Sequence, residues 1–408
     1  LASIHADWPM ELTTELKSFY CDLHVHIGRT SEGQAVKISG SRELTFAGIA
    51  KEAAERKGLE MIGIIDSHSP GVLRDMERSL ESGEMTLAEG GGIAYRGTTI
   101  ILGTEIEIRE PGRKECHVLA YMPDLERMTD FSAWMSRYMR NVNLSSQRLY
   151  APARELQDEI YGRGGILIPA HIFTPHKGLY GCAAERMADI FDLDRIAAVE
   201  LGLSADSEMA GYLSELDDFT FLTNSDAHSL GKLGREYNVM ALARPSFAEL
   251  RLALERKEGR KVTANFGLNP RLGKYHRTYC GGCGSIIDEA YVTSERCQYC
   301  GSLKLVRGVF DRILDIADRK TPIVPADRPP YHYQVPLEFI PGLGKAKMNA
   351  LLQAFGTEMN ILHGCGEAEI ASVIGADLAS MIVQARSGIL ELSAGGGGTY
   401  GKVVQPGK

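Results

Sequence analysis

The chain is predicted to be an α/β protein. Residues 18–267 are expected to form a distorted barrel of seven strand–helix units, (β/α)7-like, followed by a small four-cysteine zinc-binding domain and a C-terminal helical domain. Three observations predict this. Short apolar runs alternate with helical stretches from Ser18 to about Asn265, the pattern of strands wrapped by helices. Histidines and carboxylates recur at the ends of those runs. Two CxxC pairs come next, ahead of a proline-rich stretch and a helical one punctuated by glycine.

The strands are expected at Phe19–His24, Met61–Ile65, Thr99–Ile106, His117–Tyr121, Gly165–Pro169, Ala197–Leu201 and Phe219–Thr223. Helices are expected at Glu43–Arg56 and Phe131–Tyr161, and at Ser246–Lys257 after the last strand. Residues 268–320 hold the paired cysteines. Residues 321–337 carry Pro322, Pro325, Pro329, Pro330 and Pro336 and read as an extended linker. Residues 338–393 are helical again, and 394–408 carry four successive glycines and read as a flexible tail.

At 408 residues the chain exceeds one ordinary domain, and 44% hydrophobic with 24% charged residues is the composition of a soluble globular protein. No run of 18 apolar residues and no basic-then-apolar leader is visible, so a cytoplasmic location with no membrane partner is expected. The net charge of −8 argues against a protein that coats nucleic acid nonspecifically. Residues 271–345, however, hold 11 Lys and Arg against 8 Asp and Glu. Metal ions in a carboxylate-lined cleft would also reverse the local sign.

His24-Val-His26 ends the first expected strand and Asp66-Ser-His68 follows the second. Glu105 lies near the end of the third, His117 in the fourth, His171 after the fifth, and Asp226-Ala-His228 after the last. In a parallel barrel the C-terminal strand ends converge on one face, where active sites form. Imidazole suits zinc, iron and manganese, and carboxylate can bridge two ions. The nine candidates would suit two or three divalent ions that together hold a phosphate oxygen and activate water. Singly the signals are weak: HxH arises by chance on a strand, a lone His117 suits a hydrogen-bonded core, and Glu105 competes with Glu107 on the same strand face. Convergence of the set favours metal-assisted phosphoester hydrolysis, with Asp226, Glu105 and His228 as catalytic candidates.

Cys280-x2-Cys283 and Cys297-x2-Cys300, 13 residues apart, form a structural zinc signature, with Gly281, Gly282 and Gly301 available for the tight turns. Cys21, Cys116, Cys182 and Cys365 read as ordinary thiols. Lys274, Arg277 and Tyr299 belong to a basic and aromatic set that suits nucleic acid. A rigid staple with a solvated surface accounts for the same residues. Gly342, Gly344 and Lys345 open a helix in a pattern like a helix-hairpin-helix unit, repeated at Val373-Ile-Gly375, and a glycine turn at a helix N-terminus can bind phosphate. Glycine turns also join helices with no ligand. Phe173 and Tyr180, after His171, are in place to hold a flipped base, and packing accounts for Phe173 equally well.

The order HxH, DxH, "GTEIE", "ECHVLAYMP", "PAHIFTP" and "TNSDAH" resembles the polymerase-and-histidinol-phosphatase (PHP) superfamily. "PAHIFTPHKGLYG", "VELGLSADSEMA", "NSDAHS" and "LGREYNV" look like its endonuclease Q family, over nearly all of residues 18–320. The resemblance implies a PHP barrel with three ions: one on His24, His26, Glu105 and Asp226, a second on Glu105, His117 and His171, a third on His228 and Asp66. Ser31 departs from the acidic residue that many superfamily members carry there. The resemblance further implies DNA repair in the cytoplasm, at the nucleoid. The expected reaction cuts 5′ of uracil, hypoxanthine, xanthine or an abasic site, leaving 3′-hydroxyl and 5′-phosphate ends. A PHP-type phosphomonoesterase for small molecules is the alternative, and a sliding-clamp-type partner is not readable from the sequence.

Overall fold

The computed structural model describes residues 15–273 and 275–390, together with the backbone of 392–393 and 402–403. All seven expected strands are present: Lys17–Val25, Met61–Ile64, Thr98–Ile108, Cys116–Met122, Ile166–Pro169, Ala198–Glu200 and Thr220–Leu222. Their apolar residues divide by alternation. Leu23, Ile65, Leu119, Tyr121, Ile168 and Leu222 lie in one buried cluster, and Val25, Ile62, Ile64, Leu102, Val118 and Ala120 in the other.

The barrel is less regular than a ring of parallel strands. Lys17–Val25, Met61–Ile64 and Thr98–Ile108 are parallel neighbours, but Cys116–Met122 runs antiparallel to Thr98–Ile108 and to Ile166–Pro169. Beyond Lys17–Val25, strands not expected from the sequence extend the sheet. Tyr237–Leu242 pairs antiparallel with Lys17–Val25, Lys261–Gly267 pairs antiparallel with Tyr237–Leu242, and Tyr331–Tyr333 adds a parallel edge. The last of these lies within the proline-rich segment expected to be a linker, so that segment is partly built into the barrel sheet.

Ala198–Glu200 and Thr220–Leu222 form a separate parallel pair. Among the described residues no backbone ladder joins this pair to the main sheet. Individual contacts do so instead, among them a backbone bond from the Ile172 amide to the Glu200 carbonyl (2.9 Å). Asn238 Oδ1 accepts from the Thr223 amide (2.9 Å), Asn265 Nδ2 donates to the Phe221 carbonyl (3.0 Å), and the His171 amide donates to Glu200 Oε2 (2.8 Å).

The helix expected over Phe131–Tyr161 is two helices, Leu125–Met135 and Ala153–Gly162. Between them Asn141 accepts from the Asn143 amide, a local side-chain bond that competes with helix, and Pro152 precedes the second helix. The intervening chain delivers Ser145 and Ser146 to the barrel mouth, where they contact His26 and Glu105, so the break has a structural use.

After the second cysteine pair, helix Val309–Ile316 docks on the barrel through Arg312 Nε, which donates to the Tyr180 carbonyl (2.9 Å). Among the described residues the C-terminal region holds four helices, Lys345–Phe355, Glu358–His363, Glu367–Ile374 and Ala376–Arg386. Within the tail expected to be flexible, Lys402–Val403 pairs antiparallel with Leu392–Ser393; residues 394–401 and 404–408 lie outside the described residues.

The helical domain meets the barrel around His363. Its Nε2 lies 2.6 Å from the Tyr237 hydroxyl, and its ring stacks on Tyr20 at 5.0 Å. Burial, then Arg386 and His332, push this imidazole down to about 4. A histidine with a depressed folded-state pKa binds its proton more readily when unfolded, so its contribution to stability is present above about 6.5 and is lost as pH falls toward 4. Hydrogen-exchange protection of residues 358–386 is therefore expected to fall between those pH values more steeply than protection of the barrel strands. A uniform change across the chain would refute this.

Candidate metal centre

The first strand carries a register shift between Asp22 and Val25. Past this bulge Val25 joins the cluster opposite to that of Leu23, and the ring nitrogens of His24 and His26 meet carboxylates at the barrel mouth. Bulges re-aim side chains in this way beside active sites. Tyr121 secures the distortion by donating to the Leu23 carbonyl (2.5 Å).

Three ligand groups result: His24, His26 and Glu105; Glu105, His117 and His171; and His26, Asp226 and His228. Within each, candidate ligand atoms lie within 4.8 Å of one another. Asp226 Oδ1 stands 3.5 Å from His24 Nε2 and 3.4 Å from His26 Nε2. Glu105 is shared between groups, with Oε1 at 2.8 Å from His117 Nδ1 and 3.2 Å from His171 Nε2. Its other oxygen accepts from Ser146 Oγ and from Lys37 Nζ (3.4 Å). Glu107, on the same strand face, ion-pairs with Lys177 (2.5 Å) instead.

Seven of the nine candidates are thus brought together. Asp66 stands behind them: Oδ2 lies 3.0 Å from His26 Nδ1 and accepts from the Ile27 amide (2.8 Å). The structure groups His228 with His26 and Asp226 rather than with Asp66. His68 is turned away, with Nδ1 at 2.7 Å from Thr104 Oγ1 and Nε2 at 3.4 Å from the Leu144 carbonyl. Ser31 faces Asp75, donating through its amide (2.8 Å) and hydroxyl (2.5 Å).

Glu200 was not anticipated. It is buried, lies 2.9 Å from His24 Nδ1, and accepts from the His171 amide and from Asn224 Nδ2 (2.8 Å). With Glu200 accepting at Nδ1, His24 presents Nε2 to the cluster, the arrangement by which an outer carboxylate orients a ligating imidazole. The available signal was a lone acid in the apolar run "AAVELG", since a buried charge needs a partner. Lys37 and Ser146 carried no such signal.

The electrostatics describe a site built for cations. Burial works against a charged His24, but Glu200, Asp226 and Glu105 outweigh it and push the ring up to about 10. Burial would raise Glu105 and Asp226, yet adjacent histidines (with Lys37 at Glu105) hold both well below the usual carboxylate range. Burial holds His117 and His228 below the ordinary imidazole value. His24 Nε2, His26 Nε2 and His171 Nδ1 are buried without a hydrogen-bond partner. His24 Nε2 and His26 Nε2 each face both Glu105 and Asp226, and orphaned nitrogens so placed fit metal ions, which would satisfy both. Asp226 and His171 also hold positive φ, +46° and +31°, strain of the kind that collects at functional sites.

A cavity of about 530 Å³ opens above the cluster. Its floor includes Glu105, His117, His171, Asp226 and His228, and its rim includes Lys37, Lys177, Lys232, Arg235 and Tyr275. Phe173 and Tyr180 are fully buried and stack on each other at 5.6 Å, so they pack the loop rather than line the cavity.

The four cysteines form a second cluster, with Cys280 and Cys300 sulfurs 3.6 Å apart and Cys283 and Cys297 sulfurs 3.7 Å apart. Each pair makes the same turn. The Gly282 and Tyr299 amides donate to Cys280 and Cys297 sulfurs, and Gly284 and Gly301 follow at φ +75° and +70°. The left-handed position is thus Gly284 rather than Gly281 or Gly282, and it needs glycine because a side chain is disfavoured there. Of the candidate DNA contacts, Arg277 is engaged by Glu289 (3.1 Å) and Asp311 (3.3 Å). Tyr299 is exposed and donates to Asp288 (3.1 Å). Gly342 sits at φ +84°, and Gly344 precedes exposed Lys345 at the start of its helix. Lys274 lies outside the described residues. Lys232 joins the helical domain to the cleft rim, paired with Glu338 at 2.7 Å.

Fold and centre together define a PHP-type barrel. No protein-family model matches the chain. It is 49% identical over 391 residues to the uncharacterized protein YqxK of Bacillus subtilis, covering 95% of this chain and 100% of that one. It is similar to the crystal structure of the lesion-specific endonuclease PfuEndoQ from Pyrococcus furiosus, with 32% identity, a TM-score of 0.83 and 96% coverage of each chain. The same identity and TM-score are found to an endonuclease Q complex with a 27-mer duplex bearing an abasic lesion at its active site, covering 96% of this chain and 97% of that one. The chain belongs to the endonuclease Q family.

No helix among the described residues is long and apolar enough to cross a membrane.

Proposed function

We propose that this protein is a metal-dependent endonuclease of DNA repair that hydrolyses the phosphodiester 5′ of a deaminated base or an abasic site. The observation that carries this reading is the likeness, over 96% of both chains, to a lesion-specific endonuclease. That match spans the cysteine and helical domains, which a small-molecule phosphatase pocket would not need.

In this reading His24, His26, Glu105 and Asp226 hold one ion, and Glu105, His117 and His171 hold a second. His228 and Asp226 offer a third position, and Cys280, Cys283, Cys297 and Cys300 hold a structural zinc. Zinc, iron or manganese at the barrel mouth would polarise the phosphate and lower the pKa of an attacking water. The protein supplies the rest. Asp66 and Glu200 fix the rings of His26 and His24 through Nδ1. His228 Nδ1 donates to the Asp226 carbonyl (2.9 Å), which leaves the ring's lone pair on Nε2. Lys37, Lys177, Lys232 and Arg235 ring the cavity with positive charge that suits a DNA backbone. Water adds across the P–O3′ bond, its oxygen going to phosphorus and a proton to O3′. The damaged nucleotide stays on the downstream 5′-phosphate fragment.

Duplexes carrying one uracil, hypoxanthine or abasic site test this on a denaturing gel beside a sequencing ladder. The expected product is a single nick immediately 5′ of the lesion, with undamaged duplex intact. Uniform cutting of normal DNA, release of free base, or brisk hydrolysis of p-nitrophenyl phosphate without nicking would each overturn it.

A further inference from the structure

Among the described residues the most exposed large apolar side chain is Ile38, at 81%. Isolated surface hydrophobics are ordinary and need no function, but the setting of this one is unusual. Both its neighbours, Lys37 and Ser39, line the cavity above the metal centre. The Gly40 amide donates to the Lys37 carbonyl (2.9 Å), so Ile38 and Ser39 are the central residues of a tight turn.

The turn is braced against the site. The Lys37 amide donates to the Ile27 carbonyl (2.9 Å), and the Ser41 amide to the carbonyl of His228 (2.8 Å). Lys37 Nζ reaches Ser146 Oγ at 2.6 Å and Glu105 at 3.4 Å. The two backbones touch so closely that a Cβ on Gly28 would meet the Ser41 carbonyl oxygen at 1.9 Å. Ile38 is therefore an apolar side chain held out in water on a rigid mount, where hydration disfavours it.

We propose that Ile38 is a wedge, entering the base stack of the bound duplex beside the metal centre and filling the space left by the extruded nucleotide. This rests on the endonuclease reading above. An enzyme that acts at one damaged nucleotide must draw it from the stack. The gap left behind is bounded by base faces, and proteins that unstack DNA fill such gaps with Ile, Leu, Met, Phe or Pro. Isoleucine suits the task because β-branching stiffens χ1, so little side-chain freedom is lost on insertion. The position suits it too. A side chain one residue from Lys37, whose ammonium contacts Glu105, enters next to the phosphate that the centre would cleave. Lys177, Lys232 and Arg235 on the rim would hold the backbone while the base step opens.

The test compares full-length, metal-loaded protein on one lesion in two settings, a fully paired duplex and the same duplex with the lesion inside an unpaired bubble. Ile38→Ala should lower kcat/KM on the paired duplex by about tenfold more than on the bubble, the rate equivalent of burying one isoleucine side chain. Ile38→Leu and Ile38→Met should recover most of that difference, and Ile38→Asp should deepen it. In stopped flow, 2-aminopurine beside the lesion should brighten before nicking in the unsubstituted protein, and brighten more slowly in Ile38→Ala. The exposed position leaves the core untouched, so the variants fold. Equal losses on both substrates, with nicking intact, would overturn the wedge and leave the endonuclease reading standing. Absence of nicking by the unsubstituted protein on either substrate would overturn both.

Discussion

Asp226→Asn is expected to lower nicking of a lesion-containing duplex by about a thousandfold or more, because it removes a charge that the proposed ions require. Asp226 Oδ1 lies within 3.5 Å of both His24 Nε2 and His26 Nε2, and asparagine keeps that shape while losing the negative charge. The variant should still fold, since the barrel rests on two apolar clusters that Asp226 does not join. Elemental analysis supplies an independent readout. Protein purified without chelator should hold at least two ions of zinc, iron or manganese beyond one zinc expected on the four cysteines, and the variant should hold fewer. Turnover within tenfold of the unsubstituted protein at unchanged metal content would place the centre elsewhere.

The second large effect is expected at the cysteine domain. Its apolar core is small, consisting of Cys280, Ile287 and Cys297 with Val292 and Leu305 packed against them. So few contacts cannot outweigh the conformational entropy of ordering the segment, whereas a structural zinc contributes about 10 kcal/mol or more. Cys280→Ser together with Cys283→Ser should release one zinc per chain and unfold this module alone. Its link to the helix that docks on the barrel runs through Thr278, whose amide and hydroxyl both donate to Asp311 (2.8 and 2.6 Å). Binding of lesion DNA should weaken at least tenfold while the melting of the barrel stays close to that of the parent. Unaltered DNA affinity with zinc lost would make the domain a staple only.

The seven strands at the heart of the barrel were legible because each is a short apolar run bounded by polar chain, and burial on both faces leaves that mark. The later strands were not. Tyr237–Leu242 follows a loop that reads as the end of the repeat, and Tyr331–Tyr333 sits between prolines, where its three-residue parallel edge has no pattern of its own. The candidate ligands were legible for a similar reason. Strand-terminal histidines and acids have few structural explanations, and the structure gathers seven of them. His68 and Asp66 lie two residues apart after one strand, and the sequence favours Asp66 of the two. What separates them is the direction of the chain at the turn, which sends His68 to Thr104 and Asp66 to His26. Glu200 escaped notice because its value lies in what it touches across the barrel. Gly284 was passed over because the turn is set by the position after the second cysteine of each pair.

The side-chain clasp around Ala198–Glu200 and Thr220–Leu222 has a consequence for loading. A backbone ladder lets go as a unit, but isolated contacts such as Asn238 to Thr223 and Asn265 to Phe221 open one at a time. Asp226 and His228 stand on one side of that seam, His24, His26 and Glu105 on the other, and an isolated bridge, Val25 to Ala227, crosses between them. Ions held by ligands from both sides would serve as the missing rungs. Filling the site and locking the barrel shut then become one equilibrium, so a cell short of these metals would carry a protein that is looser at its mouth as well as inactive.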